Sequence, residues 1–230
     1  MRFGTICLLF VLALGCGRAD RRPSSVAAVL EAYGPKVKAE FQPICKRLGI
    51  AYPPKRIYIL AFKQERILEV WGANLNGPYA RLASYPILAA SGKLGPKRRE
   101  GDRQVPEGLY RITHLNPLSQ FHLSLRVDYP NREDISNATV PRNQMGTDIY
   151  VHGNQVSIGC IALGDSVIEK VFCLTALAES SKRRILISPR DFRKVDVSEI
   201  RADMPWVQNL YRRLHATLEQ FPLAGRSPAD

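Results

Sequence analysis

Between residues 56 and 127 the chain is a succession of short β-branched and aromatic runs, RIYILAF, RILEVW, YARLASYPILAA, LYRITH and FHLSLRV, each cut off by turn-forming or charged residues. Runs of this length are too brief for helices, and their composition suits the pleated, half-buried surface of a sheet. Residues 56–62 and 66–71 predict a hairpin across Lys63, Gln64 and Glu65. Residues 79–90 predict a third strand, with Pro86 at an edge or a bulge because it cannot donate to a ladder. The charged, glycine-containing stretch SGKLGPKRREGDRQVPEG then separates that strand from two more at 109–114 and 121–127, and Tyr129-Pro130-Asn131 makes a turn. Residues 148–152 and a closing run at 184–188 complete the strands.

Helices flank this series. Residues 24–48 place Val26, Val29, Leu30, Tyr33, Val37, Phe41, Ile44 and Leu48 at helical spacing, with a break or bend expected near Gly34-Pro35. Gly164-Asp165-Ser166 offers an N-cap for a helix running through Leu177. A last helix over 205–221 carries Trp206, Leu210, Leu214 and Leu218 on one face. The fold class that follows is mainly β with flanking helices, an α+β arrangement. A chain of 230 residues holds one such domain with terminal additions, and 45% hydrophobic with 23% charged residues excludes disorder and a polytopic membrane protein.

The first residues, MRFGTICLLFVLALGCGRAD, put Arg2 ahead of an apolar run from Ile6 to Leu14 that ends in small residues. That is the layout of a secretory signal over residues 1–19, too short to span a bilayer comfortably. Cleavage after Ala19 releases a soluble exported protein. The alternative is an imperfect lipobox, LALGC, which would place a lipid, and so a membrane anchor, on Cys16. Of five cysteines, Cys45, Cys160 and Cys173 remain in the body, an odd number that leaves at least one thiol unpaired. Cys45 and Cys173 lie in helical patterns and read as packing residues. A net charge of +12 fits an anionic partner. There is no zinc-finger spacing, RNA-recognition motif or basic reading helix, so with an export signal in front the envelope is favoured over nucleic acid. The run Lys97-Arg98-Arg99 reads as a solvated loop.

Chemistry is concentrated in YVHGNQVSIGCIAL, residues 150–163, where His152 and Cys160 stand eight positions apart. A thiol becomes a strong nucleophile as a thiolate, and a neighbouring imidazole is the base that makes it one. Gly153, Asn154 and Gln155 are turn formers, and an antiparallel return through Ser157 would lay Cys160 beside His152. Gly159 permits close backbone approach to a substrate, the amides near Cys160 suit an oxyanion hole, and Gly153 would leave room beside the imidazole. On pattern alone a buried structural pair is the commoner outcome of such spacing. His114, His122, Cys45 and Cys173 show no metal-ligand spacing, so no metal is expected.

The segments His152-Gly153 and Ser157-Ile158-Gly159-Cys160 resemble the His-Gly and Ser/Thr-x-Gly-Cys signature of the YkuD-type L,D-transpeptidases. The likeness extends through SGKLGPKRREGDRQVPEGLYRI, LNPLSQFHLSLRVDYPN and DIYVHGNQVSIGCIALGD to the YafK-like subgroup, and covers residues 52–193. It leaves 20–51 as an N-terminal helical segment and 194–230 as a C-terminal helix and tail.

The resemblance implies a β-sandwich-like fold in which Cys160 forms a thioester with a peptidoglycan stem peptide. His152 would be its base, the Gly159 and Cys160 amides the oxyanion donors, Gly153 a supporting residue, and Ser157 a shaper of the turn. No cofactor is implied. The implied partners are peptidoglycan stem peptides and, if the enzyme hydrolyses rather than transfers, an envelope lipoprotein linked to them. The chain departs from the family in its short His-to-Cys gap and in Ala162, which stands where an arginine is usual. His122, Arg142 and Arg111 are the candidates for that arginine's substrate-binding role. A reading of another class is a non-catalytic cell-wall-binding module.

Overall fold

A computed structural model describes residues 22–200 and 204–223. The signal expected over residues 1–19, with Cys16, lies outside the described residues. Nine strands are present: β1 (Arg56–Phe62), β2 (Ile67–Ala73), β3 (Ala80–Pro86), β4 (Ala89–Ala90), β5 (Gly108–Ser119), β6 (His122–Val127), β7 (Tyr150–His152), β8 (Ile161–Ala162) and β9 (Arg183–Ser188). They form one mixed sheet in the order β3-β2-β1-β9-β5-β6-β7-β8-β4. The helices are α1 (Val26–Arg47), α2 (Arg132–Ser136), α3 (Asp165–Leu177) and α4 (Pro205–Leu218).

The alternation along the central strands explains how helices cover both faces of the sheet. In β1, Ile57, Ile59 and Ala61 point to a core shared with Val29, Val37 and Phe41 of α1 and with Ile168, Val171 and Phe172 of α3. Leu60 and Phe62, one residue out of phase, point to a second core with Leu210, Leu214 and Leu218 of α4. β9 divides the same way, Ile185 and Ile187 to the first core and Leu186 to the second. Such a period of two, apolar on both faces, is expected of a strand buried on both sides.

Several expectations are revised. The run 79–90 is not one strand: β3 pairs with β2 at one edge of the sheet, while β4 pairs with β8 at the other. Pro86 ends the first piece, as a residue without an amide proton should. The run at 184–188 closes the strands only in sequence. In space β9 is central, parallel to β1 and antiparallel to β5. α1 is continuous through Pro35 and Pro43. Burying Val29, Val37 and Phe41 contributes about 1.5–3 kcal/mol each, the same order as the cost of about 3 kcal/mol for each of the two interior prolines. The N-cap of α3 is Gly164, with no side-chain cap bond. Cys45 and Cys173 are fully buried free thiols in α1 and α3.

β5 joins the two halves of the sheet. Its residues 108–111 pair with β9, and from Ile112 onward it pairs with β6, with irregularities at Ile112/His114 and Asn116/Ser119. The segment that carries His152 and Cys160 therefore hangs on the far half, through β6, β7 and β8.

Candidate active site

β7 and β8 run parallel, Val151 opposite Ile161 and His152 opposite Ala162. The antiparallel return expected from the sequence is not formed. Residues 153–160 instead loop out and re-enter alongside β7 in the same direction. A connection this short between parallel strands needs unusual backbone, and Asn154 (φ 59°) and Gly159 (φ 88°) both take the left-handed region.

Side chains from elsewhere pin the loop. The Asp165 carboxylate, at the start of α3, accepts from the Asn154 amide at 2.7 Å. Ser157 Oγ accepts from the Cys160 amide at 3.1 Å and donates to the Cys160 carbonyl at 2.6 Å. Ser91 Oγ donates to the Arg103 carbonyl at 2.8 Å and accepts from the Gly159 amide. Both amides considered as oxyanion donors are thus bonded to serine hydroxyls in this arrangement. A substrate oxygen would have to displace Ser91 or Ser157 to use them.

Gly153 does not leave space beside the imidazole. A Cβ at this position would stand 2.6 Å from Asp165 Oδ1, 2.7 Å from the Phe121 carbonyl and 3.1 Å from His122 Cβ. The glycine is needed because the β5–β6 turn and the start of α3 close against its backbone.

His152 and Cys160 line one cavity of about 370 Å³, together with Phe121, Ser124, Asp148 and Tyr150. Ser124 is the direct cross-strand partner of His152. The Phe121 ring lies over the imidazole, centroids 4.6 Å apart and planes at 31°. His152 Nδ1 is 2.6 Å from the Gly153 carbonyl. Because a carbonyl can only accept, Nδ1 carries the proton and Nε2 keeps the lone pair, the tautomer of a base. The Cys160 thiol donates to the Asp148 carbonyl at 3.5 Å.

Burial sets the charge state of both groups. It lowers the imidazole from its ordinary value of 6.5, against the opposing pull of the Gly153 carbonyl. It raises the thiol from 9.0, partly offset by the Tyr150 backbone. Both shifts favour neutral forms, so the resting pair is thiol and imidazole rather than thiolate and imidazolium. A pair in these states can serve as nucleophile and base only by general-base deprotonation as the sulfur attacks, not through a pre-formed thiolate.

The three substrate-binding candidates fall outside this cavity. His122, at φ 69° in the β5–β6 turn, bonds Glu169 of α3 through Nε2 at 2.9 Å and packs edge-on against Tyr33 of α1, centroids 5.9 Å apart. It is a structural histidine joining the turn to two helices. Arg111 and Arg142 line a different groove. Phe121, Asp148, Ser91 and Asp165 shape the site without having been singled out. Ser124, a hydroxyl set between Leu123 and Leu125 on β6, gave the one local hint. Among the described residues no group of three or more His, Cys, Asp or Glu side chains is placed to hold a metal ion.

A family model for the YkuD L,D-transpeptidase catalytic domain matches residues 56–181, more than half of this 230-residue chain. The chain belongs to the YkuD family. Membership gives the chain a catalytic domain of the L,D-transpeptidase type. The chain is 29% identical over 175 residues to YafK of Escherichia coli (strain K12), a match covering 75% of this chain and 69% of the relative. Among solved structures, the helical cell shape determining protein Pgp2 from Campylobacter jejuni aligns with a TM-score of 0.49 at 23% identity, over 71% of this chain and 56% of that one. Bd1075 of Bdellovibrio bacteriovorus aligns at 0.43 and 22% identity, over 74% of this chain and 58% of that one. The chain spans little more than half the length of these two solved proteins.

Proposed function

We propose that this YkuD-family protein is a cell-envelope enzyme that transfers acyl groups of peptidoglycan stem peptides through Cys160, as an L,D-transpeptidase. The observation that carries the proposal is the shared cavity, which Cys160 and His152 both line, with His152 Nδ1 engaged by the Gly153 carbonyl so that Nε2 keeps its lone pair. As Sγ adds to the substrate carbonyl, Nε2 takes the thiol proton. Collapse of the adduct expels the amine of the cleaved bond, which leaves with the proton held on His152, and a thioester on Cys160 remains. An incoming amine then attacks the thioester and gives a proton to Nε2; the C–S bond breaks, and the departing Cys160 sulfur recovers that proton from His152, which completes transfer. Ser157 fixes the Cys160 backbone, and the Gly153 carbonyl fixes the base.

L,D-amidase hydrolysis is a second reading, favoured by the short 153–159 loop and by a Cys160 that is only half-buried, which together leave a thioester within reach of water. The secretory layout expected over residues 1–19 supports an exported location, and among the described residues no helix is long and apolar enough to cross a membrane. Mass spectrometry of defined muropeptides after incubation with the mature protein is the test. New 3-3 cross-links are expected for transfer, and released donor peptides without cross-links for hydrolysis. No product with wild type would contradict both.

A further inference from the structure

A second groove of about 320 Å³ opens on the same half of the sheet, lined by Arg111, Arg126, Arg132 and Arg142, with Thr113 and Asp128. Its charge is largely uncompensated. Arg111 is held by Asp128 at 2.8 Å and Arg126 lies 3.9 Å from Asp148, but Arg132 and Arg142 form no side-chain hydrogen bond or ion pair among the described residues. Four guanidinium groups face a single carboxylate inside the groove. Clustered cations repel one another and are stabilised by a bound anion, and a guanidinium fork matches a carboxylate in two-point geometry.

The strands place this groove relative to the nucleophile. Ser124 and Arg126 are two residues apart on β6 and so share a face. Their partners on β7 are His152 and Tyr150 respectively. Ser124 and His152 line the Cys160 cavity, and Arg126 lines the arginine groove. Asp148, whose carbonyl holds the thiol and whose side chain faces Arg126, stands at the junction. One step along the strand therefore leads from one site to the other, about 7 Å at the backbone.

We propose that the arginine groove binds a free carboxylate of the peptide whose carbonyl is presented to Cys160. The proposal rests on the acyl-transfer reading and adds to it the chemistry of the ligand. An extended peptide advances about 3.4 Å per residue, so the carboxylate lies about two to four residues from the reacting carbonyl. The groove fixes the direction in which the peptide lies. Its arginines come from β5, β6 and the 132–142 segment.

The probes are a stem tetrapeptide and the same peptide with its free carboxylates amidated. With wild type, KM for the free acid is expected to be about tenfold lower than for the amide. In Arg126→Gln/Arg142→Gln that preference disappears with kcat little changed. Alkylation of Cys160 by iodoacetamide, a neutral reagent, stays within about twofold of wild type in a variant whose site is intact. Arg132→Gln/Arg142→Gln, at exposed positions, is the second variant if the first folds poorly, and is expected to lose part of the preference. Retention of the full acid preference in both variants overturns the proposal. Calorimetric titration of both peptides into Cys160→Ala reads the groove without turnover. Tighter binding of the acid that is lost in the arginine variants supports the groove even if wild type turns over neither peptide, an outcome that would overturn the acyl-transfer reading alone. Equal binding of acid and amide, or no binding, overturns the groove.

Discussion

The two halves of the sheet that meet at β5 treat buried titratable groups in opposite ways. On the β1-β2-β9 half, buried charges are paired. Lys63 Nζ spends its three protons on Glu107 at 2.8 Å and on the Gly95 and Val105 carbonyls at 3.0 Å each. Glu107 also accepts from the Tyr211 hydroxyl of α4 at 2.7 Å. Arg193 grips Asp191 through two nitrogens, at 2.7 and 2.8 Å, reaches Glu69 at 3.0 Å, and lies over the Phe62 ring. These networks tie the 91–107 loop and the C-terminal helix to the sheet. On the β6-β7-β8 half, His152 and Cys160 are kept neutral by burial, and one nitrogen lone pair is left facing a cavity. Burial of a polar group is therefore not itself a sign of function. What separates the halves is whether its bonding capacity is used up.

His152→Gln breaks the contrast from the reactive side. Losing the base is expected to slow acylation of Cys160 by about a hundredfold to ten-thousandfold, with little change in the urea midpoint. A similar loss of folding stability would mean that the histidine is a packing residue. Arg193→Met breaks it from the other side. It takes the buried cation from Glu69 and Asp191, leaving each a more exposed partner, Arg81 at 3.1 Å and Lys194 at 3.5 Å, and should cost up to about 3–5 kcal/mol in urea unfolding while folded protein acylates at the wild-type rate.

The pH dependence sharpens the comparison. Because burial holds His152 below 6.5, the acid limb of the acylation rate should have its midpoint below that value. Because burial holds Cys160 above 9.0, alkylation should climb through neutral pH without a plateau. A thiolate plateau at pH 7 would show a pre-formed ion pair instead. The smallest effect is expected at His122→Gln. It gives up a partly exposed pair with Glu169 and changes acylation by no more than about twofold. A large loss there would put His122 back in the substrate path.

Much of the fold was legible because it is written in local patterns. Residues 56–62 emerge as a strand with the bounds expected, and α1 and α4 follow their apolar stripes. Pairing was less legible. β3 and β4 lie in one apolar run but go to opposite edges of the sheet, a choice made by β2 and β8 and not by the run itself. The direction of β8 was hidden for a similar reason. Asn154 and Gly159 permit several turns, and the bonds that select the parallel one come from Ser91 and Asp165, outside the loop. His152 and Cys160 drew attention through their flanking signature, and the fold brings both to one cavity. The tautomer of His152 was not legible, since it depends on how the Gly153 carbonyl is turned.

The central claim is that the half-buried, neutral Cys160 thiol on this half of the sheet is the acyl acceptor. Intact-mass measurement of the mature protein after exposure to a carbapenem tests it most directly. Wild type should gain the mass of one covalent adduct, and Cys160→Ala should gain none although Cys45 and Cys173 are still present. An unmodified wild type, or a Cys160→Ala protein that still takes up the adduct, would contradict it.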